Sequence, residues 1–186
     1  MKTLMIDMDN CIVDANFIST INAYLKTDYK LEEQKDYFLQ NLIPEELKEG
    51  YWKFVEKDTF YKDAPLIEGA YEALEKLNKK YNLYIFTSYL YPESKPDIGG
   101  NNLRNKYEYL KKTLPFISPK QYVFIENKSL IKADIAIDDR LKNLSCAKTK
   151  LLFDGWHNRD ISNKELEEKN VVRVCSWKEI EKILNV

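Results

Sequence analysis

Four aspartates that directly follow short apolar runs are the strongest candidates for chemistry in this chain. Asp7 and Asp9 follow one run, and Asp138 and Asp139 follow another. Two like charges about 4 Å apart repel by on the order of 4 kcal/mol at an effective dielectric of roughly 20. If the four carboxylates meet, we therefore expect a cation beside them. Hard carboxylate oxygens favour Mg²⁺, which also leaves positions for water and phosphate.

Hydroxyl and lysine side chains follow two further apolar runs. Thr87 and Ser88 follow the run at 82–86, and Lys128 comes shortly after the run at 121–125. In an open parallel sheet, ligands bind beyond the carboxyl ends of the strands. Carboxylates, hydroxyls and a cationic side chain at such an edge predict phosphoryl transfer, in which positioning and charge neutralisation carry most of the catalysis.

The apolar runs and the segments between them predict the elements that hold these side chains. Buried parallel strands are expected at 3–6, 82–86, 121–125 and 135–137, and further strands at 150–153 and 171–174. Apolar residues spaced by three or four predict helices at 70–81, 103–114 and 177–184. This alternation indicates an α/β fold with a parallel sheet flanked by helices.

The segment 15–64 is much longer than the dozen or so residues that a crossover needs. We expect it to be a small all-helical cap, inserted after the first strand into a core formed by 1–14 and 65–186. Its helices are predicted at 17–25, at 31–42 and from Pro44 onward. The segment 89–100 contains prolines and the pair Gly99-Gly100, and it is predicted to be an exposed, mobile loop.

Composition restricts the partners and the compartment. The chain has 29 Lys and Arg against 30 Asp and Glu, so no strong basic field favours a nucleic-acid polymer or an anionic membrane. We therefore expect a small-molecule partner. The 3 cysteines form no C-x-x-C pair, which favours reduced thiols and a cytoplasmic location. The apolar stretch after Met1 is too short for a signal peptide or a membrane span.

Three other interpretations explain the acidic residues less well. Ordinary capping aspartates account for each one alone but not for their coincidence with the hydroxyls and the lysine. A calcium loop fails because Cys11, Ile12 and Ile18 occupy positions that need a ligand, a glycine and a glutamate. A signalling receiver domain uses similar residues, but it places the acidic pair first and a lone acceptor aspartate later, and it has no cap.

The motifs "DMDNCIVD", "IFTS", "ENKSLIKADIAIDD" and "LLFDGWHN" resemble the haloacid dehalogenase superfamily of phosphotransferases, which have a Rossmann-like core. Within that superfamily they are similar to the 5'(3')-deoxyribonucleotidases. The resemblance implies that Asp7 is the nucleophile and that Asp9 is the general acid and then the base. It also implies that Thr87 and Ser88 hold phosphate oxygens, and that Lys128 neutralises the nucleophile and the phosphate.

The resemblance also implies a metal site and a substrate pocket. Mg²⁺ would be bound by Asp7, the Asp9 carbonyl and Asp138, with Asp139 acting through water or bracing the site. Asn10 stands where the family usually has glycine, and because Asn tolerates the left-handed conformation better than most residues, the turn is expected to survive. Asn10 is also counted with the substrate-binding residues. Asn158 lies in a motif typical of these nucleotidases, without an assigned role.

Aromatic residues of the cap could form a pocket for a flat base, and Phe17 and Trp52 are the two expected to approach the substrate. The segment "SYLYPES" lacks the basic residues with which relatives bind phosphate, so a phosphatase for sugar or other metabolite phosphates stays open. A non-catalytic protein that binds phosphate and metal is a further alternative. Lys132 is the second candidate for the role of Lys128. His157 is interpreted as a surface or packed histidine, and Cys11 as a packing residue. Relatives are commonly dimers, so a homodimer is allowed.

Overall fold

The computed structural model describes residues 1–56, 60–88 and 96–186, without the side chains of 96 and 97. Its strands are β1 (Thr3–Asp7), β2 (Asn82–Thr87), β3 (Tyr122–Phe124), β4 (Ala133–Asp138), β5 (Ala147–Phe153) and β6 (Val171–Val174). They form one sheet in the order β3-β2-β1-β4-β5-β6, and every neighbouring pair is parallel. The predicted parallel α/β fold is confirmed, and β1 and β4 lie at its centre.

Helices connect and cover the strands. They are α1 (Phe17–Leu25), α2 (Glu45–Phe54), α3 (Ala70–Lys80), α4 (Pro96–Thr113), α5 (Asn163–Glu168) and α6 (Trp177–Leu184). The sequence analysis missed α5, which begins after Ser162, whose hydroxyl accepts a hydrogen bond from the Glu165 amide. None of the described helices combines the length and the apolar character that a membrane crossing requires.

The central strand β1 is buried on both faces. Leu4 and Ile6 pack into one apolar cluster and Met5 packs into another on the opposite face. This alternation follows from the period of two along a strand. Because both faces are covered, polar groups of the strand can reach solvent and ligand only at its ends.

Within its described residues, the insertion 15–64 contains helices and irregular links but no strand, and one of its predicted helices is wrong. The stretch 31–42 forms two short 3₁₀ helices, Leu31–Glu33 and Leu39–Leu42, with an irregular link between them. In that link the side chain of Asp36 accepts hydrogen bonds from the Phe38 amide at 2.8 Å and from Asn41 Nδ2 at 2.6 Å. Such side-chain bonds compete with the helical ladder and interrupt it.

The prediction of an exposed loop over 89–100 is wrong at its end. Gly99 and Gly100 lie inside α4, which starts seven residues before the expected helix at 103–114. Pro96 is the first residue of the helix, where the missing amide and the fixed φ of proline are well tolerated. The remainder of that predicted loop, 89–95, lies outside the described residues.

The insertion packs against the same apolar core as the sheet. Ile21, Leu39 and Tyr51 belong to one cluster with Leu4 and Ile6. The division into a core of 1–14 and 65–186 and a cap of 15–64 stays a prediction.

Helix α6 is joined to the turn after β1 by its first residue. Trp177 is fully buried, and its indole Nε1 donates to the Cys11 carbonyl at 2.9 Å. Trp177→Phe removes this donor and leaves a cavity, so we expect it to lower the free energy of unfolding by about 1–3 kcal/mol in urea denaturation. Ile183→Ala, on the exposed side of the same helix, is the control and should change it by no more than about 0.5 kcal/mol. Equal effects of the two substitutions would contradict the prediction.

Candidate active site

The carboxyl ends of β1 and β4 lie side by side and carry two of the predicted acidic residues. Ile6 pairs with Ile137 in the sheet register, so Asp7 and Asp138, which follow them, are neighbours. Asp7 is 8% exposed and Asp138 is fully buried. Both carboxylates are therefore largely removed from water, where an unpaired charge is costly.

Lys128 joins these two carboxylates. It begins the short 3₁₀ helix Lys128–Leu130 after β3, and its side chain is 3% exposed. Its Nζ lies 2.5 Å from Asp7 Oδ1 and 2.7 Å from Asp138 Oδ2. Lys132, the second candidate for the catalytic lysine, is exposed. Of the two lysines, the fold brings Lys128 to the acidic residues.

The chain turns sharply after β1. The Ile12 amide donates to the Met8 carbonyl at 2.9 Å, and Asn10 has φ 58°. Asparagine tolerates this left-handed conformation better than most residues. Asn10 lines the cavity, as expected for a substrate-binding residue, and its Nδ2 also donates to Asp139 Oδ2 at 3.1 Å. A glycine at this position could not make that bond.

Asp9 faces the same cavity, and each of its carboxylate oxygens accepts a hydrogen bond. The Tyr61 hydroxyl donates to Oδ1 at 2.9 Å, and Lys106 Nζ donates to Oδ2 at 2.6 Å. Lys106 lies on α4 and is only 2% exposed. Sequence reasoning missed Lys106, because no local pattern relates a lysine on a helix to a strand end 97 residues away.

Lys106 also contacts the two predicted phosphate-binding hydroxyl residues. Its Nζ donates to Thr87 Oγ1 at 2.7 Å and to the Ser88 carbonyl. Thr87 is fully buried, whereas Ser88 lines the cavity. The structure thus brings Ser88 to the cavity and pairs the Thr87 hydroxyl with the lysine.

The adjacent residues Asp138 and Asp139 have different partners. Both oxygens of Asp138 are occupied: Oδ2 accepts from Lys128, and Oδ1 accepts from the Arg140 amide and from Asn143 Nδ2, each at 2.9 Å. In contrast, Asp139 Oδ1 is buried without a hydrogen-bond partner in the described residues. An unpaired buried carboxylate oxygen points to a ligand that is not part of the protein.

Three side chains could hold a metal ion at this position. One ligand atom from each of Asp7, Cys11 and Asp139 lies within 4.8 Å of the others. Burial raises the pKa of Cys11 well above its ordinary value, so its thiol stays protonated and is a poor ligand. The two carboxylates provide hard oxygen atoms, which fit Mg²⁺. The geometry favours Asp139 over the predicted Asp138, because both oxygens of Asp138 are already occupied.

His157 contacts the side chain of Asp139, and Asn158 contacts its backbone. His157 Nε2 lies 2.9 Å from Asp139 Oδ2 and its side chain is 6% exposed, so it is more than the packing residue expected from sequence. Asn158 Nδ2 donates to the Asp139 and Phe153 carbonyls, each at 2.8 Å. Its Oδ1 accepts from Arg173 Nη1 at 2.6 Å. Asn158, which had no assigned role, thus fixes the backbone of Asp139.

Burial dominates the electrostatics of the site. It raises the pKa of Asp7 to about 7, against the pull of Lys128 and with help from Asp138 and Asp9. It also raises the pKa of Asp138 and of Asp139. Burial by itself lowers the pKa of Lys128, but the two carboxylates beside it raise that pKa above its ordinary value. The site therefore favours positive charge and opposes further negative charge.

The charges at this edge do not balance within the described residues. Four carboxylates face two buried ammonium groups, which leaves two negative charges when all six are ionised: Asp7, Asp9, Asp138, Asp139, Lys106 and Lys128. Glu126 and Arg140 also line the cavity, and their charges cancel. A divalent cation at this edge would balance these two negative charges.

Aromatic side chains line the same cavity as the acidic residues. Phe17 and Trp52, both predicted to approach the substrate, line the cavity together with Tyr37 and Trp156. The Arg140 guanidinium lies 4.1 Å from the centre of the Tyr37 ring, which connects the insertion to the core beside the site. Sequence reasoning missed Tyr37 because it lies in the stretch predicted as a helix.

Asp7→Asn is expected to stabilise the metal-free protein at about pH 8 but not at about pH 4. The pKa of Asp7 is about 7 when folded and 3.8 ordinarily, so folding takes up a proton between these values. As pH rises from about 4 to about 7, the unsubstituted protein therefore loses at most about 4 kcal/mol of its free energy of unfolding, because the unfolded chain releases the Asp7 proton over this range and the folded protein retains it.

Urea unfolding of both proteins in EDTA across this pH range measures the difference. Asp160→Asn, an exposed carboxylate, is the matched control and should show no such pH dependence. A stability difference between Asp7→Asn and the unsubstituted protein that stays constant with pH would contradict this account of Asp7.

Known proteins are similar to this chain over nearly its whole length. A family model described as "5' nucleotidase, deoxy (Pyrimidine), cytosolic type C protein" matches residues 1–186. The chain is 33% identical over 187 residues to the 5'(3')-deoxyribonucleotidase of Bacillus subtilis (strain 168), covering 98% of each chain. The values are the same for the 5'(3')-deoxyribonucleotidase of Bacillus phage SPbeta.

The fold is similar to that in the crystal structure of a HAD hydrolase, family IA, variant 3, from Entamoeba histolytica HM-1:IMSS. The TM-score is 0.56 at 13% identity, over 96% of this chain and 95% of that chain. At this identity the similarity shows the fold alone, and it confirms the expected haloacid dehalogenase fold. Because the family model matches residues 1–186, this chain belongs to the family of 5' nucleotidase, deoxy (Pyrimidine), cytosolic type C proteins.

Proposed function

We propose that this chain is a phosphomonoesterase that hydrolyses deoxynucleoside monophosphates at Asp7. The observation that carries the proposal is the pairing of Asp7 with buried Lys128 at the bottom of a cavity with aromatic walls. Membership of the family and the names of the two relatives support a deoxynucleotide as substrate. The reaction consumes one water and yields a deoxynucleoside and inorganic phosphate.

The reaction has two steps with Asp7 and Asp9 as the acting groups. In the first, an Asp7 oxygen attacks phosphorus, the bond from phosphorus to the ester oxygen breaks, and Asp9 gives its proton to that oxygen. In the second, Asp9 takes a proton from water, the water oxygen attacks phosphorus, and the bond to Asp7 breaks. Splitting the hydrolysis through an aspartyl-phosphate replaces one difficult step by two easier ones.

The remaining polar residues hold the phosphate. Lys128 neutralises the nucleophile and a phosphate oxygen, and Ser88 donates to another from the cavity wall. Lys106 contacts Thr87, Ser88 and Asp9, so it aligns the hydroxyl residues with the proton donor. We therefore assign Thr87 an indirect role in phosphate binding.

Mg²⁺ is the proposed cofactor, bound by the Asp7 carboxylate, the Asp9 carbonyl and Asp139. When bound, it supplies positive charge that lets a phosphate dianion approach the cluster of carboxylates. The unpaired Asp139 Oδ1 supports this choice of ligand, and Asp138 is assigned to fix Lys128.

The aromatic walls are proposed to bind the base. Phe17 and Trp52 come from the insertion and Trp156 comes from the core, so a flat ring can be held between the two. Excluding water from this space strengthens the electrostatic interactions at Asp7.

A cytoplasmic location is part of the proposal. Cys11, Cys146 and Cys175 are all free thiols, which supports a reducing compartment. The partner is proposed to be the small phosphate ester, with neither a nucleic-acid polymer nor a membrane involved. A homodimer stays a prediction.

Phosphate release across a panel of esters tests the function. With Mg²⁺, we expect faster release from deoxynucleoside monophosphates than from ribonucleotides or sugar phosphates, and little release in EDTA. Asp7→Asn should reduce the rate by at least about a thousandfold, because the nucleophile is lost. Asp160→Asn serves as the control with normal turnover.

The same panel separates the alternatives. Preference for sugar phosphates would favour a metabolite phosphatase, and no release from any ester would favour a non-catalytic binding protein. Normal release by Asp7→Asn would overturn the assignment of the nucleophile.

Mg²⁺ titration of two substitutions tests the ligand assignment. Asp139→Asn should weaken Mg²⁺ binding, measured by calorimetry, by at least about tenfold, because it removes a carboxylate whose Oδ1 has no hydrogen-bond partner in the described part of the chain. Asp138→Asn should weaken it less and lower stability more, because it breaks the pair with Lys128. A larger loss of Mg²⁺ affinity in Asp138→Asn would restore the assignment expected from sequence.

A further inference from the structure

The hydrogen bond between Tyr61 and Asp9 connects the segment at the end of the insertion to the proposed proton donor. The hydroxyl donates to Asp9 Oδ1 at 2.9 Å, and Tyr61 is 2% exposed. The other oxygen of Asp9 accepts a hydrogen bond from Nζ of Lys106, on α4, at 2.6 Å. Two donors from separate elements thus hold one carboxyl group.

The ring of Tyr61 is fixed by packing. It lies at 84° to the Phe17 ring with centroids 6.5 Å apart, and its centroid is 5.8 Å from that of Tyr109. Lys106 Nζ is 5.7 Å from the Tyr61 centroid. Phenylalanine at this position would keep these ring contacts and lose only the donor.

The backbone on both sides of Tyr61 is also held. The Asn16 amide donates to the Phe60 carbonyl at 2.9 Å, and Asn16 Nδ2 donates to the Lys62 carbonyl at 3.0 Å. Asn16 directly precedes α1, so the segment carrying Tyr61 is bound to the start of the insertion. The position of the hydroxyl therefore depends on the docked arrangement of this part of the chain.

We propose that Tyr61 is a positioning residue for Asp9, and this inference rests on the proposed function. Tyr61 and Lys106 together hold both carboxyl oxygens of Asp9, so that the Asp9 carboxyl group faces the ester oxygen of the substrate. Proton transfer from Asp9 to the leaving alcohol then requires that the insertion is docked. The transferred proton comes from Asp9 and the Tyr61 hydroxyl keeps its own proton. Small displacements of a reacting group can cost about a hundredfold in rate, so fixing this carboxyl group matters.

Tyr61→Phe tests the role through the leaving group. With a deoxynucleoside monophosphate, whose alcohol must be protonated, we expect kcat to fall by about tenfold or more and KM to change by less than about twofold. With p-nitrophenyl phosphate, whose leaving group needs no proton, kcat should fall by less than about threefold. Tyr24→Phe is the matched control, because its hydroxyl donates to the Leu47 carbonyl at 2.9 Å within the insertion.

The result for the two esters decides between positioning and packing. Equal losses with both esters, or no loss with either, would overturn the proposal. The proposal would also be overturned if Tyr24→Phe lowered kcat more for the deoxynucleotide than for p-nitrophenyl phosphate. The effect would then follow from removing any tyrosine hydroxyl of the insertion, and not from the contact with Asp9. If the unsubstituted protein hydrolyses no ester, the proposed function fails instead.

A stability cycle measures the contact without activity. Tyr61→Phe should lower Tm by about 4 °C in the unsubstituted protein and by less than about 1 °C in Asp9→Ala, because the acceptor is then absent. Equal shifts in both backgrounds would mean that the hydroxyl does not hold Asp9, and would overturn the inference even if the enzyme is active.

Discussion

Repulsion among four carboxylates at one end of the sheet is the constraint on which the rest of this structure depends. Asp7 and Asp138 end neighbouring central strands, so the register itself forces them together. Two like charges about 4 Å apart repel by about 4 kcal/mol at an effective dielectric of roughly 20. Two buried lysines relieve part of it, and each arrives from a different connection of the chain. The remaining negative charge makes the edge a site for a cation and for phosphate chemistry.

Asp138 and Asp139, which are adjacent at the end of β4, have different roles: one is structural and the other is available to a ligand. Both carboxylate oxygens of Asp138 accept hydrogen bonds from protein donors, one of them Lys128, whereas Asp139 Oδ1 has no hydrogen-bond partner among the described residues. Asp139 is in turn held by Asn10, which needs a left-handed backbone to reach it, and by the carbonyl contact of Asn158. Each acidic side chain therefore has a defined direction before any ligand binds, which lowers the cost of reorganisation during the reaction.

The insertion contributes both apolar lining residues and a polar contact to the site. Phe17 and Trp52 supply apolar surface above the acids, and Tyr37 stacks against Arg140 of the core. Tyr61 adds a polar contact to Asp9 from the same part of the chain. Closing the cavity and orienting the acid are thus linked through one docked segment, so substrate enclosure and proton transfer depend on the same packing.

The sequence alone determined the parallel sheet, the two acidic motifs and the family, because short continuous apolar runs and short motifs are local properties of the chain. It also identified Lys128 from its place after a strand. It misjudged 31–42, where Asp36 bonds to the backbone, and it missed Lys106. Only the tertiary structure decided which aspartate has an oxygen without a partner in the described ranges, and which residues hold Asp9. Those contacts join positions far apart in the chain, and a buried hydrogen bond is defined by distance and direction in space, which no local pattern encodes.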